Sequence, residues 1–184
     1  MAKKHKSPYT KAIRKIMDEG RKQSYLHYSA IAIALWRNWN MKKVAIIRIF
    51  EAAREVMKER EGDNEHSMIQ MCEEETSIEI QNGDGKSWRD LLYLNASLDT
   101  GIMTPAKMLW MRQQQVKWVA PQIMACLLIA MHRKHGFGYD RCQRLYQQVH
   151  EIIDDYDSDV EKIRKACLEE TGVNITDILD GEQE

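Results

Sequence analysis

His132 and His135 stand three residues apart in a stretch that reads as helix, a spacing that can turn two imidazoles toward one metal ion. Cys126, Cys142 and His150 are the remaining ligand types nearby in the sequence. Their spacing matches no zinc module, and the aligned positions in an earlier copy of the same segment hold Trp36 and Trp39. A position that takes either tryptophan or histidine is a packing position. The expectation is therefore no metal, with His132 and His135 as the alternative ligand pair. Carboxylates offer a second chemistry, because Glu73-Glu74-Glu75 and Glu169-Glu170 could hold a divalent cation or act as acid and base. Each run closes a helix beside a threonine, so solubility and turn geometry are the plainer reading. Asp154, Asp155, Asp157 and Asp159 lack the glycine and terminal glutamate of a calcium loop. With no glycine-rich phosphate loop, G-x-S-x-G elbow or H-E-x-x-H helix, the sequence leads to no catalytic residue and no cofactor. An enzyme using His132 and His135 with Glu169 or Glu170 is the third functional reading.

The cations make a stronger pattern. Lys42 and Lys43 fall at the start of a helix, where free backbone N–H groups already favour an anion. Arg48 and Arg54 follow on that helix, and Arg141 and Arg144 hold comparable places later in the chain. Residues 1–60 carry 15 Lys and Arg against 5 Asp and Glu, whereas the remainder carries 12 against 23. Such an asymmetry suits a partner of opposite charge, or attraction between the two parts of the molecule itself. A host protein or an anionic ligand, held at the basic face or at the seam between repeats, is the first expectation. DNA or RNA is the alternative, since a helix, a tight turn and a basic-ended helix could enter a major groove. Glu51, Glu55 and Glu59 on that same helix oppose phosphate.

These residues are positioned by a unit that occurs twice. Cys72 to Ile80 reads C-E-E-E-T-S-I-E-I and Cys167 to Ile175 reads C-L-E-E-T-G-V-N-I, an offset of 95 residues. Upstream, Ile33, Ala34, Arg37, Arg48 and Glu55 align with Ile129, Ala130, Arg133, Arg144 and Glu151 at an offset of 96. Ser7-Pro8 and Thr104-Pro105 open each copy as cap and first helical residue. The first copy predicts helices from Pro8 to about Lys22 with a break near Gly20, from Ser24 to Trp39, from Lys42 to Arg60 and from Glu65 to Glu75. Gly62-Asp63-Asn64 would end the third. In the second copy the corresponding spans are Pro105 to Trp118, Gln122 to His135, Tyr139 to Asp155 and Asp159 to Thr171. Asn82-Gly83-Asp84-Gly85 marks a turn, after which Ser87 to Leu94 predicts a short bridging helix. Only Ser77 to Ile80 and Val173 to Ile175 alternate with period two.

The fold class expected is all-α: a tandem duplication of a four-helix unit packed into one compact body. Its parts are a basic leader at 1–6, repeat 1 at 7–82, a bridge at 83–103, repeat 2 at 104–176 and an acidic tail at 177–184. Copies of this size bury little core alone, which favours packing against each other. The four scattered cysteines read as reduced thiols of a cytoplasmic protein. The longest apolar run, Ile123 to Met131, is about half of what a bilayer requires, so no membrane partner is expected. Self-association is left open.

The string Ala130-Met131-His132-Arg133-Lys134-His135-Gly136-Phe137-Gly138-Tyr139-Asp140-Arg141 resembles a pattern in small helical proteins of phages and prophages of Firmicutes. There an apolar helix ends in a Phe-Gly-Phe-Gly or similar turn before a basic third helix. The likeness covers about 40 residues of the second repeat and, more faintly, the first, where Asn40-Met41-Lys42 lacks both glycines. That group has no assigned activity, so the resemblance carries over no catalytic residue. It implies a phage or mobile-element origin in a bacterial host. It also implies a small non-enzymatic protein that acts by binding, including the inhibition of a host defence protein.

Overall fold

A computed structural model describes residues 8–59, 67–90 and 104–181. The helices are α1 (Pro8–Trp39), α2 (Lys43–Lys58), α3 (Ser67–Thr76), α4 (Pro105–Val116), α5 (Val119–His135), α6 (Tyr139–Asp155), α7 (Val160–Thr171) and α8 (Ile175–Asp180). No strand occurs among the described residues, so the fold is all-α as the sequence predicts. The basic leader, the Gly62-Asp63-Asn64 stop and Leu91 to Leu94 of the expected bridging helix lie outside the described residues. Residues 88–90 are helical.

Two helices are apolar on every side and fix the architecture. From Tyr25 to Leu35 in α1, and from Ile123 to Met131 in α5, every residue is buried. A helix of this kind must be surrounded by others. α1 and α5 pack on one another, but most of their cover comes from a less obvious source. α1 lies chiefly against α6 and α7, and α5 against α2 and α3. The sequence-adjacent pairs α1–α2 and α5–α6 touch far less.

The same local contacts recur about 96 residues apart. Asn40 N–H donates to the Trp36 carbonyl at 3.1 Å and Met41 N–H to Leu35 at 3.2 Å. Gly136 N–H donates to His132 at 3.1 Å and Phe137 N–H to Met131 at 3.3 Å. Both are the two-bond helix ending that requires a left-handed residue. Asn40 supplies it with φ 53° and Gly136 with φ 61°. The glycine-poor turn of the first half is thus as well formed as its counterpart, because asparagine tolerates the left-handed region. Downstream, the Thr76 hydroxyl donates to the Cys72 carbonyl at 2.7 Å and accepts from Ile78 N–H at 3.3 Å. Thr171 makes the matching bonds to Cys167 at 2.7 Å and from Val173 at 3.0 Å. All four cysteines are buried free thiols.

Two local expectations are corrected. α1 runs through Gly20 without a break. A single glycine costs a helix only about 1 kcal/mol, and here its bare side faces Val116 and Val119 across the crossing with α4 and α5. The counterpart pair α4 and α5 does break, at Lys117–Trp118, because Pro121 has no N–H for the Lys117 carbonyl and its ring would clash with it. The end of the chain is not only an acidic tail: Asn174 accepts from Thr176 N–H at 3.1 Å and starts α8. Asp180 there takes Arg21 at 2.6 Å and the Tyr25 hydroxyl at 2.7 Å.

A Cβ at Gly20 would meet Val116 Cγ2 at 3.6 Å and Val119 Cγ2 at 3.9 Å, ordinary contact distances. Gly20→Ala is therefore expected to stabilise the protein by up to about 1 kcal/mol, read as a higher urea midpoint. A lower midpoint would show that this crossing has no room.

Candidate functional site

Concavity, more than charge, distinguishes one region of the surface. A cleft of about 1060 Å³ opens where α1, the Asn82 turn, the α4–α5 junction, α6 and the start of α7 meet. Its apolar wall includes Leu26, Ile80, Pro121, Met124 and Ile153. Each lining element is held by its own polar contact. Asn82, itself buried, closes its turn by accepting from Asp84 N–H at 2.9 Å and Lys86 N–H at 3.0 Å. Lys117 reaches back to Asp84 at 2.6 Å, and Asp159 caps α7 by accepting from Glu161 and Lys162 N–H at 3.0 and 3.1 Å.

Charge at the rim is largely paired within the protein. Arg21 is bound to Asp180, Lys117 to Asp84, and Arg164 to Glu161 at 3.0 Å with its guanidinium 4.6 Å from the Tyr25 ring centroid. Asp18 and Glu19 also line the cleft. An anion entering here would meet carboxylates as often as cations.

The inner polar groups are neutral. His27 is only 6% exposed, and its Nδ1–H donates to the Gln23 carbonyl at 2.9 Å. That bond fixes the tautomer and leaves Nε2 as the lone-pair acceptor. Burial pushes the imidazole down to about 4, and the neighbouring His150 adds to the shift. Tyr146 is half-buried, and that burial pushes its phenol up, so it stands as a neutral hydroxyl at neutral pH. The His150 ring packs edge-on against it, centroids 4.7 Å apart. The cleft can thus offer one neutral acceptor and one neutral donor above an apolar floor. None of these groups stood out in the sequence, where His27 and Tyr146 were two polar residues on helical faces.

None of the six cations singled out by sequence lines this cleft. Lys42 and Arg141 are brought to a different end of the molecule, about 20 Å along α1, where Trp39 and Phe137 meet with ring centroids 5.6 Å apart. Lys42 Nζ lies 4.5 Å from the Trp36 ring and 3.0 Å from Asn40 Oδ1, and the Arg141 guanidinium lies 5.6 Å from Phe137. Lys43 places its stem beside Gly172. Arg48 and Arg144 are exposed at matching places on α2 and α6. Arg54 is turned inward and donates to the Ile178 carbonyl of α8. Of the alternative metal ligands, His132 engages the Phe137 carbonyl at 2.7 Å and His135 is exposed.

The repeated glutamates have a definite structural task that the solubility reading did not foresee. Glu170 takes two hydrogen bonds from Arg37, at 2.6 and 2.8 Å, and Glu75 takes two from Arg133, at 2.6 and 2.9 Å. Those guanidinium contacts hold both carboxyls below the usual range. Glu73 accepts from Trp88 Nε1 at 2.7 Å and from Arg89 at 2.6 Å.

His27 makes folding pH-dependent. Its folded value of about 4 lies below the ordinary 6.5, so the unfolded chain binds the extra proton between them. The stabilisation is full above pH 6.5 and is lost as pH falls toward 4, up to about 3 kcal/mol. His27→Phe should remove this slope from the urea midpoint in that window. An unchanged slope in the variant would contradict the neutral, buried imidazole.

No protein-family model, curated protein or solved structure matches the chain, so the chemistry of the cleft is read from its own residues.

Proposed function

We propose that the protein is a non-enzymatic binder that acts by stoichiometric interaction and holds its ligand in the seam cleft. The carrying observation is the buried His27, held through Nδ1 by the Gln23 carbonyl, which lines a cleft built from both halves of the chain. A ligand with an apolar body, one hydrogen-bond donor for His27 and one acceptor for Tyr146 fits this chemistry. The self-paired rim argues for an uncharged ligand over the anionic one that sequence suggested. An imidazole with a value near 4 is a poor general base at neutral pH, which supports binding over turnover. The same reading takes the chain as a tandem duplication of one four-helix unit, supported by contacts that recur at an offset of 95 or 96 residues. The resemblance at Ala130–Arg141 adds the phage or mobile-element setting, with the cytoplasm of a bacterial host as the place of action and a host protein as the wider target.

One observation favours a second reading. The ends of α2 and α6 that carry Lys42 and Arg141 abut through Trp39 and Phe137, giving cations and aromatic rings on one surface. That surface suits nucleic acid, whose phosphates would meet two helix N-termini. A low-salt gel shift abolished by Lys42→Glu and Arg141→Glu would favour it.

For the cleft, the direct experiment is a thermal-shift panel of nucleosides, free nucleobases, aromatic amino acids and their amides. At least one uncharged compound should raise the midpoint, and either Ala120→Trp, which fills the cleft, or His27→Phe should remove the effect. A panel with no positive member, or a shift that survives both substitutions, rules the cleft out as the site.

A further inference from the structure

We infer that residues 8–90 and 104–181 are interlocked partners, neither of which closes a core by itself, and that the cleft exists only where they meet. The duplication proposed above bears on their origin; the interlock stands on the contacts alone.

Ala30 to Leu35 of α1 are wholly inaccessible, yet α2 gives α1 little of its cover and α3 packs on α5. The cover comes from α6 and α7 of the other half. By the same exchange α5 receives α2 and α3. Separating the halves would expose both all-apolar helices along most of their buried length, which is the hydrophobic term that dominates association. Four ion pairs follow the same rule. Arg37 reaches Glu170 and Arg133 reaches Glu75; Arg21 reaches Asp180 and Lys117 reaches Asp84. Each of the four crosses from one half to the other, and each member of the first pair has its equivalent in the second. Reciprocal contacts of this kind define a twofold, self-complementary interface. The cleft is assembled the same way, with His27 from one half and Tyr146 and His150 from the other.

The test uses the full chain with a protease recognition sequence inserted within residues 91–103 and cut after folding. The two pieces are expected to stay together at micromolar concentration with unchanged helix content. Their thermal midpoint, independent of concentration in the intact chain, should then rise with protein concentration. In the cut protein Arg37→Glu should lower that midpoint and the added Glu170→Arg should restore it. Pieces that separate while keeping their helix content, or a cut that abolishes helix, overturn the inference. A negative ligand panel would leave this result standing, and the reverse also holds.

Discussion

Everything in this structure follows from two helices that have no polar side. Ala30 to Leu35 in α1 and Ala125 to Met131 in α5 are at most 1% exposed, so each needs neighbours through a full circle. Neither finds enough of them in its own sequence neighbourhood. Although α1 leads to α2, and α5 to α6, through only three residues, neither pair packs along its length. The gap is filled from the other half. Exchange of cover is the solution that satisfies both helices at once.

Once the cover is exchanged, the charge asymmetry of the chain has a physical role. Arg21 and Arg37, from the basic first third, meet Asp180 and Glu170 near the acidic end. These pairs are partly exposed and individually modest. Their value lies in register: Arg37 grips Glu170 through two hydrogen bonds, a contact satisfied in one geometry only, and Arg21 and the Tyr25 hydroxyl together fix Asp180. Attraction between the two parts of the molecule, the plainer of the two expectations for the asymmetry, is thereby realised at these pairs. The Thr76 and Thr171 hydroxyls complete the pattern at the ends of α3 and α7, where each bonds back to the carbonyl four residues earlier and accepts the backbone N–H two residues on.

Helix positions were legible because periodicity, caps and glycine turns are local signals. α6 and α7 lie where their sequence predicts them, the latter capped by Asp159. Gly20 misled because propensity is a small term beside the packing of α4 and α5 on α1. α8 was missed because Val173 and Ile175 alternate like a strand, while the decisive signal was the single cap Asn174. The pairing of Glu75 with Arg133 and of Glu170 with Arg37 could have been found: all four positions recur at an offset of 95 or 96, and opposite charges repeated together invite pairing. The cleft could not. It depends on which half supplies the neighbours of α1 and α5, and no property of His27 or Tyr146 in sequence reports that.

The cleft also lies where the correspondence between halves fails. At an offset of 96, Tyr25 corresponds to Pro121, Phe50 to Tyr146 and Arg54 to His150. Tyr25 lets α1 continue, whereas Pro121 breaks α4 from α5 at the cleft wall. Phe50 is buried with Tyr28 stacked edge-on at 4.9 Å, whereas Tyr146 puts a hydroxyl at the same place. Arg54 is tied down by the Ile178 carbonyl of α8; His150 has instead the short Asn82 turn opposite it and remains exposed at the rim. Three differing residues and one shorter segment thus separate a closed corner from an open one with neutral hydrogen-bonding groups. A core under the constraint of mutual cover tolerates few changes of this kind. Their concentration around one cavity is what the proposed duplication would leave behind if the proposed binding site were built on one side only.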